Sequence, residues 1–167
     1  MLSVRKALPA DFEVIMPIYR IAQDFMISTG NPNQWGHFNP REEQIREDIE
    51  NGICHVICED GVIHGVFALC PGEDPTYGYI EDGAWLNEEP YVTIHRLAGD
   101  GTVKGIFKCA FDYCRQFVSS VRADTHHDNR VMQSAMEKNG FKRCGIIYLK
   151  NGSPRIAYQW CDTKSIT

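Results

Sequence analysis

The change of hydrophobic periodicity along the chain constrains its fold more than any other sequence feature. Residues 12–26 carry apolar side chains at three- and four-residue spacing, which predicts an amphipathic helix. Residues 53–59 and 62–70 change to strand-like patterns, and Asp60-Gly61 between them is a strong signal for a two-residue hairpin turn. A chain that switches between these periods is expected to pack helices against a sheet.

The remaining segments extend this mixed pattern. Pro17 lies inside the first helix and is expected to kink or interrupt it. Asn39 is expected to cap a second helix that starts at Pro40 and stops at Gly52. Further strands are predicted at 2–8, 91–98, 120–125, 141–149 and 154–160, and further helices at 106–117 and 129–139, the last one capped by Asp128.

The resulting order of elements is β-α-α-β-β-β-α-β-α-β-β. It predicts an α/β (α+β) fold with a mixed, mostly antiparallel sheet flanked by helices. The strand–turn–helix unit at 91–117 leads into the strand at 120–125, so those two strands can run parallel. No repeat, linker or low-complexity tract divides the 167 residues, and a single domain over 1–167 is expected.

Composition excludes several classes of protein. With 17 basic and 22 acidic residues the net charge is −5, which argues against a dedicated binder of nucleic acid or of anionic membranes. No apolar run approaches the ~20 residues that span a bilayer, and the first residues lack a signal-peptide pattern, so a cytoplasmic protein is expected. The seven cysteines are odd in number and form no CxxC, which favours reduced, buried thiols over disulfides or a zinc site.

Residues 97–106 are typical of an anion site. A strand ends there, a turn with Gly99 and Gly101 follows, and a helix begins next to Lys104. Free backbone N–H groups and the helix dipole favour a phosphate at such a place. The segment contains neither the P-loop GxxxxGK[ST] nor a complete GxGxxG. A helix start that merely contains two glycines remains the alternative.

The element order and this loop resemble the GNAT superfamily of acetyl-CoA-dependent N-acetyltransferases. Leu97-Ala98 matches the end of that family's fourth strand, and residues 104–109 fall where its loop binds the pyrophosphate of coenzyme A. The run from Asn129 to Gly140-Phe141 keeps the spacing of its second motif, and 91–97 and 122–129 are similar to a bacterial branch. The resemblance implies coenzyme A contacts at Leu97, Ala98, Gly99, Lys104, Gly105, Ile106, Phe107, Lys108, Cys109 and Asn129.

The resemblance implies transfer of an acetyl group from acetyl-CoA, as co-substrate, to a primary amine. The amine could belong to a small molecule or a protein; no metal is expected, and a homodimer remains open. Two positions depart from the family pattern: Phe107 replaces a glycine of the loop, and Met136 replaces the tyrosine that often protonates the leaving thiolate. Alternatives are a catalytically impaired coenzyme A-binding module and an α/β binding domain for another phosphate ligand.

Three side chains are candidates for proton transfer. His95 on the fourth strand could be the general base, because its ordinary pKa lies near neutrality, or it could be a structural, hydrogen-bonded histidine. His126 after the fifth strand could be catalytic or could orient its loop. Tyr148 could be a substitute acid or part of the core.

Other polar and aromatic positions concern the acceptor side and the fourth strand. Gln34 and Trp35 fall where this family lines its acceptor pocket, although Trp35 could equally be a hydrophobic plug. Strand alternation places His95 on one face and Arg96 on the other, with Arg96 expected to pair with an acid. Adjacent histidines are not expected to point at one ion, so no metal is predicted at His126 and its neighbour.

Overall fold

The computed structural model describes residues 1–162. Its strands are β1 (Ser3–Lys6), β2 (Cys54–Glu59), β3 (Val62–Pro71), β4 (Val92–Gly99), β5 (Ser120–Thr125), β6 (Lys142–Tyr148) and β7 (Pro154–Cys161). Its α-helices are α1 (Phe12–Ser28), α2 (Glu42–Glu50), α3 (Ile106–Cys114) and α4 (Arg130–Lys138), with short 3₁₀ turns at Pro9–Asp11 and Pro75–Tyr77. The predicted order of strands and α-helices is confirmed.

The strands form one seven-stranded sheet in the order β1-β2-β3-β4-β5-β7-β6. Only β4 and β5 are parallel, and all other neighbours are antiparallel, as the element order predicts. The β4–β5 ladder contains just two pairs, Val92 with Val121 and Thr93 with Arg122. Beyond those pairs the two strands diverge, which leaves a gap in the middle of the sheet.

The hairpin signal between β2 and β3 is confirmed. Asp60 and Gly61 have φ values of 51° and 79°. A turn with positive φ at both central residues matches the right-handed twist of the flanking strands, and Asp-Gly is a favoured sequence for it.

Hydrophobic side chains cover both faces of the sheet. Val56 of β2 packs with Ile15 of α1 and Ile45 of α2 on one face. Ile57, the next residue of β2, packs with Phe111 of α3 on the opposite face, in a cluster that also contains residues of α4. Alternation along the strands therefore supplies both layers of the core.

Two predictions about helix boundaries are wrong, and α1 continues through Pro17 without the interruption that was one of two expected outcomes. Pro17 lies on the exposed face near the helix start, where water can satisfy the carbonyl it frees. Helix α2 begins at Glu42 rather than Pro40, and the backbone carbonyl of Asn39 instead accepts a hydrogen bond from Gln23 at 2.7 Å. Asn129, not its neighbour Asp128, caps α4: its side chain accepts the Met132 N–H at 3.0 Å.

The alternation predicted for β4 holds up to His95 and fails at Arg96. Arg96 has a φ of 51°, and the β3–β4 register shifts there as in a β-bulge. Ile94 packs on the α3 side of the sheet, whereas the Arg96 side chain reaches Asp48 of α2 on the opposite side. The bulge thus brings two consecutive polar side chains, His95 and Arg96, to the same face.

Two predictions concern the whole chain. All seven cysteines are free thiols, five of them buried and two partly buried, as predicted. No helix within residues 1–162 is long and apolar enough to cross a membrane.

Candidate active site

The gap between β4 and β5 opens into a cavity of about 340 Å³. Ile94 to Leu97 of β4 line one side, and Ala123 to Thr125 of β5 line the other. The cavity exists because the parallel ladder ends at Thr93, so the next residues of the two strands face open space instead of each other. A cleft of this size is typical of a small-molecule site.

His95 lies in this cavity and forms a close pair with Asp74. The His95 Nε2 lies 2.8 Å from Asp74 Oδ2, and Asp74 also accepts hydrogen bonds from the N–H and the hydroxyl of Thr76, at 2.8 and 2.7 Å. Burial alone would raise the pKa of Asp74, but the hydrogen bonds from His95 and Thr76 lower it to about 2.

The charge of Asp74 fixes how His95 is protonated. A charged carboxylate can only accept, so the Nε2–H of neutral His95 donates to Asp74. The lone pair of Nδ1 is then available to take a proton. The pair therefore has the chemistry of a general base held in orientation by a carboxylate.

Arg96 also lines the cavity, but its guanidinium is already engaged. Its Nε lies 2.7 Å from Asp48 Oδ2, and its Nη2 lies 2.9 Å from Oδ1. The Asp48 side chain is only 2% exposed, and the contact is bidentate. The predicted ion pair at Arg96 is confirmed, and its backbone carbonyl accepts the Tyr19 hydroxyl at 2.7 Å.

Gln34 and Trp35 line the same cavity. Gln34 Oε1 accepts hydrogen bonds from Asn31 at 2.9 Å and from Asn129 at 3.0 Å, which ties the loop after α1 to the start of α4. The Trp35 ring meets Tyr19 edge to face, with 5.8 Å between centroids, and packs against the hydrophobic cluster that α1 and α2 form with the sheet. Trp35 therefore combines both of its expected positions, as pocket wall and as hydrophobic packing.

The residues proposed to hold coenzyme A fall into two groups. Leu97, Phe107 and Asn129 line the cavity. Gly99, Lys104 and Gly105 are not among the lining residues; Gly99 ends β4, and Gly105 precedes α3 with a φ of 84°, next to the exposed Lys104.

The other proposed coenzyme A residues point their side chains elsewhere. Ala98 packs in the hydrophobic cluster that α1 and α2 form with the sheet, whereas Ile106 and Cys109 pack on the α3 side of the sheet. Lys108 Nζ lies 2.6 Å from Asp112 Oδ2 on the exposed face of α3. The backbone N–H groups of the first turn of α3 and the exposed Lys104 are the parts of this segment that can still bind phosphate.

Phe107 and Met136, the two positions that depart from the family pattern, both lie at the cavity wall. Phe107 is 7% exposed and packs edge to face on Phe141, with ring centroids 5.4 Å apart. Met136 is fully buried. Both residues line the cavity, and no tyrosine is among the described residues that do so.

His126 and Tyr148 are not brought to this cavity. His126 Nδ1 accepts the Asp128 N–H at 3.0 Å, which fits the interpretation of a residue that orients its loop, and burial lowers the pKa of His126. The Tyr148 hydroxyl donates to Glu81 at 3.1 Å, while its neighbour Leu149 faces the cavity.

The adjacent histidines do converge, contrary to expectation. One potential ligand atom each of His126, His127 and Asp128 lies within 4.8 Å of the others, and the two imidazole rings stack at 4.2 Å. A cation bound through His126 Nδ1 would compete with the hydrogen bond from the Asp128 backbone.

Sequence reasoning missed three charged residues of the cavity. Asp74 lies in the acidic connection before β4, and its Asp-Pro sequence was a signal only for a turn. Asp124 and Arg155 lie within β5 and β7, where a single charged residue carries no signal of its own. Only the sheet order places them next to each other.

Comparison with known proteins supports a common fold. No protein-family model and no curated protein matches the sequence. Among solved structures, a GNAT-family acetyltransferase from Streptococcus agalactiae 2603 shares 29% identity, with a TM-score of 0.88 over 96% of this chain and 95% of that one.

Two less similar structures share the fold. A GNAT-family acetyltransferase from Listeria monocytogenes 4b F2365 has 22% identity and a TM-score of 0.68, over 95% of this chain and 93% of that one. A phosphinothricin acetyltransferase from Sinorhizobium meliloti, solved in complex with AcCoA, has 14% identity and a TM-score of 0.64, over 98% and 91%. These two matches show the shared fold, and the match to the Streptococcus structure over nearly the whole of both chains identifies this chain as a member of the GNAT superfamily.

Proposed function

We propose that this protein transfers an acetyl group from acetyl-CoA to the nitrogen of a primary amine. The observation that carries the proposal is the Asp74–His95 pair, which lies in the cavity formed where β4 and β5 diverge. A base that is oriented by a carboxylate and faces a cleft is the group that an amine acceptor needs.

The reaction would proceed by direct attack within a ternary complex. The neutral amine nitrogen attacks the thioester carbonyl carbon, a C–N bond forms, and the C–S bond breaks. His95 Nδ1 takes the proton that the nitrogen loses, and the charge of Asp74 stabilises the resulting imidazolium. The sulfur leaves with the electron pair of the C–S bond.

The start of α3 supports binding of coenzyme A phosphates. Its first N–H groups have no partner within the helix, and the helix dipole favours negative charge there. Lys104 is exposed beside this helix end and adds a positive charge. Phe107 does not block those N–H groups, because its side chain turns inward to Phe141.

The leaving thiolate can depart without a dedicated acid. A thiol such as that of coenzyme A has a pKa of roughly 8.5, so its thiolate is a good leaving group near neutral pH. Met136 at the cavity wall has no proton to give. Catalysis would therefore depend on deprotonation of the amine, for which His95 is the proposed base.

The same Met136 supports the second candidate function, a coenzyme A-binding module with impaired catalysis. The two functions share the binding step. A ligand present at ~100 times its dissociation constant stabilises the folded state by about 2.7 kcal/mol. Both candidate functions therefore predict that acetyl-CoA raises the melting temperature. Only the enzyme releases free thiol and yields an acetylated amine.

The experiment combines thiol release with mass spectrometry over a panel of primary amines. We expect His95→Gln to lower kcat/KM roughly 10²-fold and to remove the limb of the pH profile near neutrality. His37→Gln is the matched control, because His37 is exposed in the loop before α2. Normal turnover and a persistent limb in His95→Gln would show that His95 is structural and would overturn its role as the base.

A further inference from the structure

Arg155 is a buried cation that forms no direct ion pair within residues 1–162, although the charge of Asp124 acts on it from a longer distance and favours its protonated form. It is the second residue of β7, is 7% exposed and lines the cavity. Its Nη1 donates to the backbone carbonyl of Pro154 at 2.8 Å. No carboxylate among residues 1–162 comes within 4.0 Å of its guanidinium.

The other buried arginines of this face are held by specific contacts, although the Nε of Arg122 has no hydrogen-bond partner. Arg96 has its bidentate contact with Asp48. Arg122 is held between the rings of Trp85 and Tyr91, at 4.0 and 3.9 Å from their centroids. Arg155 has no such arrangement, and an arginine that stays charged is rarely buried unless an anion accompanies it.

The cavity also holds acidic groups that suit the other end of a zwitterion. Asp124 on β5 lines it and accepts the Tyr77 hydroxyl through Oδ2 at 2.6 Å. Asp74 lines it as the partner of His95. Of the two arginines among the described residues that line the cavity, Arg155 is the one without an ion pair, and it faces the same space as two carboxylates and the proposed base.

From this arrangement we propose that the acceptor is a small amine that carries a carboxylate, as in an amino acid, and that Arg155 binds the carboxylate. The planar fork of a guanidinium matches a carboxylate with two parallel hydrogen bonds. The amine then lies toward Asp124 and His95, on the side where the acetyl group arrives. A volume of about 340 Å³ suits an acceptor of this size. This inference rests on the proposed acetyl transfer for its orientation, but binding of the carboxylate can be measured without turnover.

The first test uses matched acceptors. Each amino acid is compared with its amide and with the amine that has the same side chain but lacks the carboxyl group. We expect kcat/KM to favour the free carboxylate by roughly 10- to 150-fold, since a hydrogen bond to a charged group contributes about 1.5–3 kcal/mol. Arg155→Gln should abolish the preference, and Arg155→Lys should retain part of it.

The control variant is Arg143→Gln, which removes the same charge from an exposed position of β6. It should keep the preference of the parent. Acetyl-CoA affinity is measured for every variant, and it should be unchanged in Arg155→Gln. A weakened acetyl-CoA complex would instead make Arg155 a ligand of coenzyme A phosphate and would overturn the proposal.

The second test reads binding alone. Trp35 lines the cavity, so its fluorescence can report N-acetylated amino acids and their amides in the presence of coenzyme A. Binding of the carboxylate form to the parent but not to Arg155→Gln supports the inference even if no amine is acetylated, in which case only the proposed function fails. Acetylation that ignores the carboxylate, or equal binding of acid and amide, overturns the inference and leaves acetyl transfer intact.

Discussion

Replacing Asp74 with asparagine tests the pair on which the proposed chemistry depends. Its side chain is 17% exposed, and its pKa falls from 3.8 to about 2 because hydrogen bonds from His95 and Thr76 outweigh burial. At 1.36 kcal/mol per pH unit, this difference corresponds to about 2 kcal/mol of stability above pH 5. The free energy of unfolding of Asp74→Asn should fall by about that amount at pH 7.

The sign of the pH dependence follows from the lowered pKa. The folded state favours the charged carboxylate, so the stabilisation is present above pH 3.8 and is lost as the pH falls through about 2. Linkage leaves roughly half of this stabilisation at pH 3. In urea unfolding, the difference in free energy of unfolding between the parent and Asp74→Asn should therefore be smaller at pH 3 than at pH 7, by about 1 kcal/mol.

Asparagine also changes the protonation of His95. Its Oδ1 can keep the contacts with Thr76, but its NH₂ then faces His95 Nε2, which must become an acceptor. The proton moves to Nδ1 and occupies the lone pair that the amine needs. We expect kcat/KM to fall on the order of 10²-fold or more, with unchanged affinity for acetyl-CoA.

Asp24→Asn is the control for both measurements, because Asp24 is exposed on α1. It should show neither a pH-dependent gap nor a loss of rate. If Asp74→Asn loses the same free energy of unfolding relative to the parent at pH 7 and at pH 3, hydrogen bonds do not stabilise the charged form of the Asp74 carboxylate. If it turns over like the parent, Asp74 does not orient the base.

Two further predictions follow from ion contacts. Lys104→Ala should raise the Kd of acetyl-CoA roughly 5- to 30-fold at low salt and less at high salt, whereas Lys150→Ala should not, and calorimetry with equal affinities would move the phosphate away from α3. Asp48→Ala should lower the free energy of unfolding by about 3–5 kcal/mol, because it leaves Arg96 half-buried without its counterion, and a loss in urea unfolding no larger than that of the exposed Glu50→Ala would contradict this.

The secondary structure was largely predictable from local signals. The apolar spacing of 12–26 produced α1, and Asp60-Gly61 produced the β2–β3 turn, since both depend on near neighbours. The boundaries that were wrong depended on longer contacts or on a closer competitor. The start of α2 follows a loop whose Asn39 carbonyl is held by Gln23 of α1, and α4 is capped by Asn129 rather than its acidic neighbour.

The candidate site was predictable only in part. The strand pattern and the GNAT resemblance led to His95, Gln34, Trp35 and the loop at 104–109, and His95, Gln34 and Trp35 do line the cavity. His126 and Tyr148 lie near it in the chain but are turned away by their own hydrogen bonds. The partner of His95 was not predictable, because Asp74 belongs to a loop with no periodic pattern.

By itself, the sequence determined the order of strands and helices, the turn at Asp60-Gly61 and the Gly-bearing loop before α3, because these follow from periodicity and backbone preference over a few residues. The tertiary structure decided which charges meet. The bulge at Arg96 turns that side chain toward Asp48, the divergence of β4 from β5 opens the cavity, and the placement of β7 beside β5 brings Arg155 to the same space as Asp124. Pairing over tens of residues is set by packing of the sheet and its two helical layers, which no local pattern encodes.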